Sequence, residues 1–92
     1  MRSVAELTEP INVSVRFFAA ARAAAGADTA ELTVPPGATV ADVVKELCCR
    51  SDQLALVLQR CSYLCDGIAV RDQTTTVLSG QTLDVLPPFA GG

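Results

Sequence analysis

The 92-residue sequence contains no histidine. That absence removes Ser-His and Cys-His nucleophile pairs, together with the commonest general base and metal ligand. Charge is sparse as well: only 18% of residues are Asp, Glu, Lys or Arg, and the formal net charge is −3. A nucleic-acid partner would call for a basic stripe, and neither a stripe nor an interleaving of aromatic with basic residues is present. Gly26 and Gly37 are isolated turn glycines without phosphate-cradling spacing. The opening residues MRSVAELTEP carry Glu6 and Glu9 and lack the apolar run of a signal peptide, and no later stretch is long enough to span a bilayer. A cytoplasmic protein with no membrane partner is expected. The acidic residues fall at surface-like positions, with no two carboxylates placed together for acid-base work. Neither a catalytic centre nor a bound cofactor or metal is expected.

The chain is the size of one domain, and at this length only about 60–70% of the unfolded surface is buried, too little for a deep enclosed active site. Half of the residues are hydrophobic, but fourteen of them are alanine and only four are aromatic, so some apolar surface is expected to remain for a partner. Without an export signal, Cys48, Cys49, Cys61 and Cys65 are expected to stay reduced. Cys48 and Cys49 are adjacent, hence about 100° apart on a helix, and do not resemble the paired C-x2-C knuckles of structural zinc sites. Cys48, Cys61 and Cys65 read as small buried hydrophobes.

Residues 1–10 read as a short acidic arm ending at Pro10. Ile11, Val13, Val15 and Phe17 then alternate with Asn12, Ser14 and Arg16, the period of a half-buried strand, which leaves Phe18 on the other face. Ala19–Ala25 is a good helix former with Gly26 as its stop. Ala30–Val34 is a second strand, broken by Pro35-Pro36-Gly37. Thr39 and Asp42 form a variant capping box ahead of Val40, Val43, Val44 and Leu47, the apolar face of the main helix. Ser51 or Asp52 caps a shorter helix with Leu54, Val57, Leu58 and Cys61 on one face. Ser62–Cys65 and Ile68–Val70 flank Asp66-Gly67, a two-residue hairpin signal. Ser79-Gly80 turns into a last strand from Gln81, with Leu83 and Val85 pointing one way and Asp84 and Leu86 the other. Five or so strands and one dominant amphipathic helix predict an α+β fold: a single mixed sheet with that helix across one face, the β-grasp arrangement.

The chain then runs through Pro87-Pro88-Phe89-Ala90 to Gly91-Gly92. Two glycines without Cβ atoms can be drawn extended through a narrow channel and leave an α-carboxylate open to attack, and the prolines stiffen the arm that carries them. Residues 11–88 are therefore read as the domain and 89–92 as a delivery tail, with Phe18, Leu86 and Val70 as candidate partner contacts on the face opposite the helix or at its edge.

The segments RFFAAARAAAG, PPGATVADVVKEL, the DG hairpin and SGQTLDVLPPFAGG together resemble the small subunit of molybdopterin synthase, a β-grasp sulfur carrier of the ubiquitin-like superfamily, over residues 11–92. The resemblance implies that Gly91 and Gly92 are the reactive diglycine and that Phe18, Val70, Leu86 and Phe89 belong to the contact with a large subunit. Leu86 stands where an aromatic residue is frequent in that family. It further implies that an E1-like enzyme uses ATP to adenylate the Gly92 carboxylate, that a sulfur donor converts it to a thiocarboxylate, and that sulfur passes to cyclic pyranopterin monophosphate. The working assembly would be a heterotetramer of two small and two large subunits, with the catalytic residues on the large one. Sulfur carriers for thiamine, cysteine or tRNA thiolation, and ubiquitin-like modifiers that conjugate to lysine, remain alternatives; the thiamine carriers usually lack the helix that Ala19–Ala25 supplies.

Overall fold

Alternation of apolar and polar residues produces the central strand of the computed structural model, which describes residues 9–88. The elements follow in the order β1 (Ile11–Phe17), α1 (Ala19–Ala25), β2 (Thr29–Val34), α2 (Val40–Cys48), α3 (Asp52–Leu58), β3 (Ser62–Cys65), β4 (Ile68–Ala69) and β5 (Thr82–Leu86). They build one five-stranded sheet with the order β2-β1-β5-β3-β4. The β1–β5 pair is parallel and the others are antiparallel. With three helices contributing to a single core, this is a ubiquitin-like β-grasp.

Val13, Val15 and Phe17 of β1, Leu32 and Val34 of β2, and Leu83 and Val85 of β5 turn to the helical side and are buried. They meet Val40, Val43 and Leu47 of α2 and Leu54 and Leu58 of α3 in one cluster. Full burial of a Val or Leu side chain contributes about 1.5–3 kcal/mol. That is what holds seven-residue helices too short to persist alone.

The helix ends follow the expected chemistry. Thr39 accepts from the Asp42 N–H, and Asp42 accepts from the Thr39 N–H at 2.9 Å, completing the capping box. Ser51, not Asp52, caps α3. Gly26 ends α1 in the left-handed region at φ 74°, its N–H donating to the Arg22 carbonyl. At the hairpin, Asp66 and Gly67 have φ of 50° and 83°, the positive pair that a type I′ turn requires.

Several boundaries differ from the sequence reading. β2 begins at Thr29, because Arg16 of β1 extends far enough to pair with it. β4 ends at Ala69, although the Val70 N–H still donates to the Tyr63 carbonyl at 2.9 Å. Gln81 belongs to the turn before β5: its N–H donates to the Leu78 carbonyl and its side chain accepts from the Leu78 N–H. The segment 71–77, without a pattern of its own, closes the start of α2. Thr75 and Gln73 carbonyls accept from the Val40 and Ala41 N–H groups, and Val77 is buried beneath. Those donors would otherwise be orphans of the first helical turn.

Candidate partner interface

The second face of the sheet carries no helix. Its β1–β2 half is polar: Ser14 donates to Glu31, and Thr33 donates to Asn12. Toward β5 and β3 its character changes. The parallel register places Arg16 beside Asp84, and the antiparallel one places Leu64 beside Asp84 and Ser62 beside Leu86. Leu64 and Leu86 are half-buried.

Phe18 stands where β1 becomes α1. Its N–H donates to the Val85 carbonyl at 3.3 Å, continuing the sheet, while its carbonyl accepts from the Ala21 and Arg22 N–H groups, opening the helix. The next residue, Ala19, has φ 50°, a left-handed conformation that costs a non-glycine residue about 1–2 kcal/mol. Phe17 is buried on the helical side, whereas Phe18 is 39% exposed and lies against Arg16, whose guanidinium carbon is 5.6 Å from the ring centroid. Helix α1 thus leaves Phe18 accessible.

Arg16 makes a two-pronged contact with Asp84, Nε to Oδ1 at 2.6 Å and Nη2 to Oδ2 at 2.7 Å. The hydrogen bond, and then the charge, of Asp84 push the guanidinium above its ordinary pKa. Asp84 is only 6% exposed, which corrects the expectation that the acidic residues all lie at the surface: the side chain points away from the helices, but β5 is a central strand and its neighbours cover it.

Of the contact residues read from the sequence, the structure brings Phe18 and Leu86 to adjacent strand ends. Val70 does not join them. It packs against the core, because the β3–β4 register carries it opposite Tyr63, on the helical side. Phe89, Gly91 and Gly92, like arm residues 1–8, lie outside the described residues. Pro87 and Pro88 leave β5 beside Ala20, Leu56, Val57, Gln59 and Arg60, which together line a groove of about 390 Å3. Leu56, Ile68 and Leu78 are also exposed. Leu56 carried a usable signal, since it falls outside the Leu54, Val57, Leu58 stripe of its helix. So did Arg16 and Asp84, each one residue before the last inward residue of its strand.

The cysteines are less buried than their pattern suggested: Cys48, Cys61 and Cys65 are half-buried and Cys49 is exposed. α3 ends at Leu58, so Cys61 lies beyond it and its Sγ donates to the Val57 carbonyl. Burial pushes the Cys61 and Cys65 thiols up, with Asp66 adding to the effect at Cys65. Both shifts favour the thiol over the nucleophilic thiolate. Among the described residues no cluster of three or more His, Cys, Asp or Glu side chains is placed to hold a metal, and no helix is long and apolar enough to cross a membrane.

The ThiS family model matches residues 15–92, most of the chain. This chain belongs to the ThiS family. Its similarity to solved structures extends over the whole domain. The HVO 2177 protein of Haloferax volcanii is 31% identical with a TM-score of 0.79, over 90% of this chain and 88% of that one. A Pyrococcus furiosus protein described as a candidate molybdopterin converting factor, subunit 1, is 26% identical with a TM-score of 0.78, over 85% and 98% of the two chains. SAMP1, a small archaeal modifier protein of Haloferax volcanii, is 25% identical with a TM-score of 0.78, over 88% and 99%. No curated protein matches the sequence. The ThiS-family chain therefore shares its fold with proteins named for pterin chemistry and for protein modification alike.

Proposed function

We propose that this ThiS-family chain is the sulfur-carrying small subunit of a cytoplasmic molybdopterin synthase. The observation that carries the reading is the placement of Phe18 and Leu86 side by side on the uncovered face, where β5 passes into Pro87-Pro88. A partner seated there would grip the domain next to the root of the tail and receive Gly91-Gly92 beyond it. The similarity to the Pyrococcus furiosus protein supports the pterin branch.

In this reading the Gly92 carboxylate attacks the α-phosphorus of ATP on an E1-like enzyme, releasing pyrophosphate. The acyl-adenylate turns a poor leaving group into AMP, which a sulfur donor displaces to leave a thiocarboxylate. The charged chain docks with the large subunit in a heterotetramer of two small and two large subunits, and sulfur passes to cyclic pyranopterin monophosphate. A chain without histidine leaves acid-base work to that partner.

The test is incubation with activating enzyme, ATP and a sulfur donor, followed by intact and C-terminal-peptide mass spectrometry. We expect the mass of an oxygen-to-sulfur exchange on Gly92, retained when all four cysteines are replaced. Added sulfur on a cysteine peptide, with Gly92 unmodified, would overturn the mechanism. The similarity to SAMP1 favours a second reading, a modifier joined to lysines; isopeptide-linked conjugates without pterin sulfuration would select it.

A further inference from the structure

Asp84 is the one charged side chain buried among the described residues, and it is buried on the face that carries no helix. An unpaired carboxylate there would be strongly disfavoured. It is satisfied by both prongs of Arg16, which holds the planar guanidinium in one orientation. The Arg16 side chain remains about half exposed, at 53%, while Asp84 beneath it is at 8%. Above the strand end, the same guanidinium lies against the Phe18 ring, a contact favoured by the ring's negative face. From the other side, Phe18 is set by the left-handed backbone of Ala19. Strained backbone of this kind persists where its surroundings over-determine it.

We propose that Arg16 is a positioning residue: pinned by Asp84, it holds the Phe18 ring on the uncovered face, so that the partner meets a preformed contact. The proposal rests on Phe18 and Leu86 forming that contact, and it adds the pair that prepares them. Preorganisation of this sort strengthens binding by removing the ordering that would otherwise accompany it. Lysine cannot replace the arginine, because an ammonium lacks the planar fork that fits the carboxylate and so is not held in one orientation over the ring.

Phe18→Trp gives the experiment its probe, as the natural chain has no tryptophan. In the free protein, adding Arg16→Lys, or the apolar pair Arg16→Met with Asp84→Leu, is expected to lower the anisotropy of that tryptophan and raise its quenching by acrylamide. Thermal unfolding of the Arg16→Lys chain should come at a lower temperature, because Asp84 loses its two-pronged partner, and the apolar pair should lose less. The apolar pair guards against a stranded carboxylate, and whichever variant is folded carries the test. Unchanged anisotropy and quenching in a folded variant would overturn the proposal. In the second arm, the synthase large subunit from the same source is titrated with natural and Arg16→Lys chains. We expect about a fivefold or greater loss of affinity, the scale on which interface truncations register; equal affinity of the two chains would overturn the proposal. If the large subunit does not bind the natural chain, the functional reading fails, while the tryptophan measurement still decides whether Arg16 positions residue 18.

Discussion

Phe17 and Phe18 are the same residue one position apart, and the pleat sends them to opposite faces: one fills the core, the other stays exposed on the face proposed above for the partner. Phe18→Ala, and Leu86→Asp beside it, should therefore weaken binding to the large subunit by more than about 1 kcal/mol while moving the thermal midpoint little. Isothermal titration alongside thermal unfolding checks this, and a sharp loss of stability at unchanged affinity would make both residues structural. Tyr63, the chain's single tyrosine, sets a pH dependence. Burial first, then Cys61 and Cys48, pushes its phenol from 10 up to about 12. The folded chain keeps that proton where the unfolded chain has lost it. The contribution to stability is thus whole below about pH 10 and disappears as pH rises toward about 12. Urea midpoints should fall over that window, and Tyr63→Phe should fall less steeply. The same variant should lose about 1 kcal/mol at neutral pH with the bond to the Leu58 carbonyl. Single residues were legible in the sequence wherever alternation alone decides, as for Phe18. The face of Asp84 was legible in the same way, but its burial was not, because that depends on Arg16 and Leu64, contributed by strands far away in the chain.

At the scale of elements, the signals that the sequence carried most clearly were local ones. Thr39 with Asp42, Gly26, and Asp66 with Gly67 each place a cap or turn within four residues, so periodicity and punctuation were enough to put every helix and strand in order. Thr39→Ala should destabilise the domain by about 1 kcal/mol, within about 0.5–2. Denaturant titration checks it, and a loss well below that range would mean the segment 71–77 is sufficient to hold the start of α2. That segment shows what the sequence left hidden. Its carbonyls serve α2 from more than thirty residues away, and a backbone acceptor has no signature in side-chain identity. Val70 was misplaced for a related reason: its face follows from the β3–β4 register, and a strand of two residues offers too little alternation to read.

For the molecule as a whole, five strands and one dominant helix were enough to point to a β-grasp, but the sheet order β2-β1-β5-β3-β4 was not legible, since periodicity names strands without saying which are neighbours. Deleting Gly92, or replacing Gly91 by a bulky residue, should abolish sulfur transfer in a reconstituted pterin assay and leave the unfolding midpoint where it was. Full activity of the shortened chain would remove the tail from the mechanism. The placement of β1 against β5 also bears on how the domain answers force. Because these strands are parallel, loads applied at Ile11 and Leu86 pull them past one another, and the hydrogen bonds joining Ser14–Phe17 to Thr82–Val85 must rupture together. Loads applied at Ser62 and Leu86, adjacent ends of the antiparallel β3–β5 pair, would instead open bonds one after another. Single-molecule pulling through the first pair of handles should meet the higher rupture force, and equal forces would contradict the argument. A tail gripped by a partner can then be tugged hard while the body that anchors it keeps its shape.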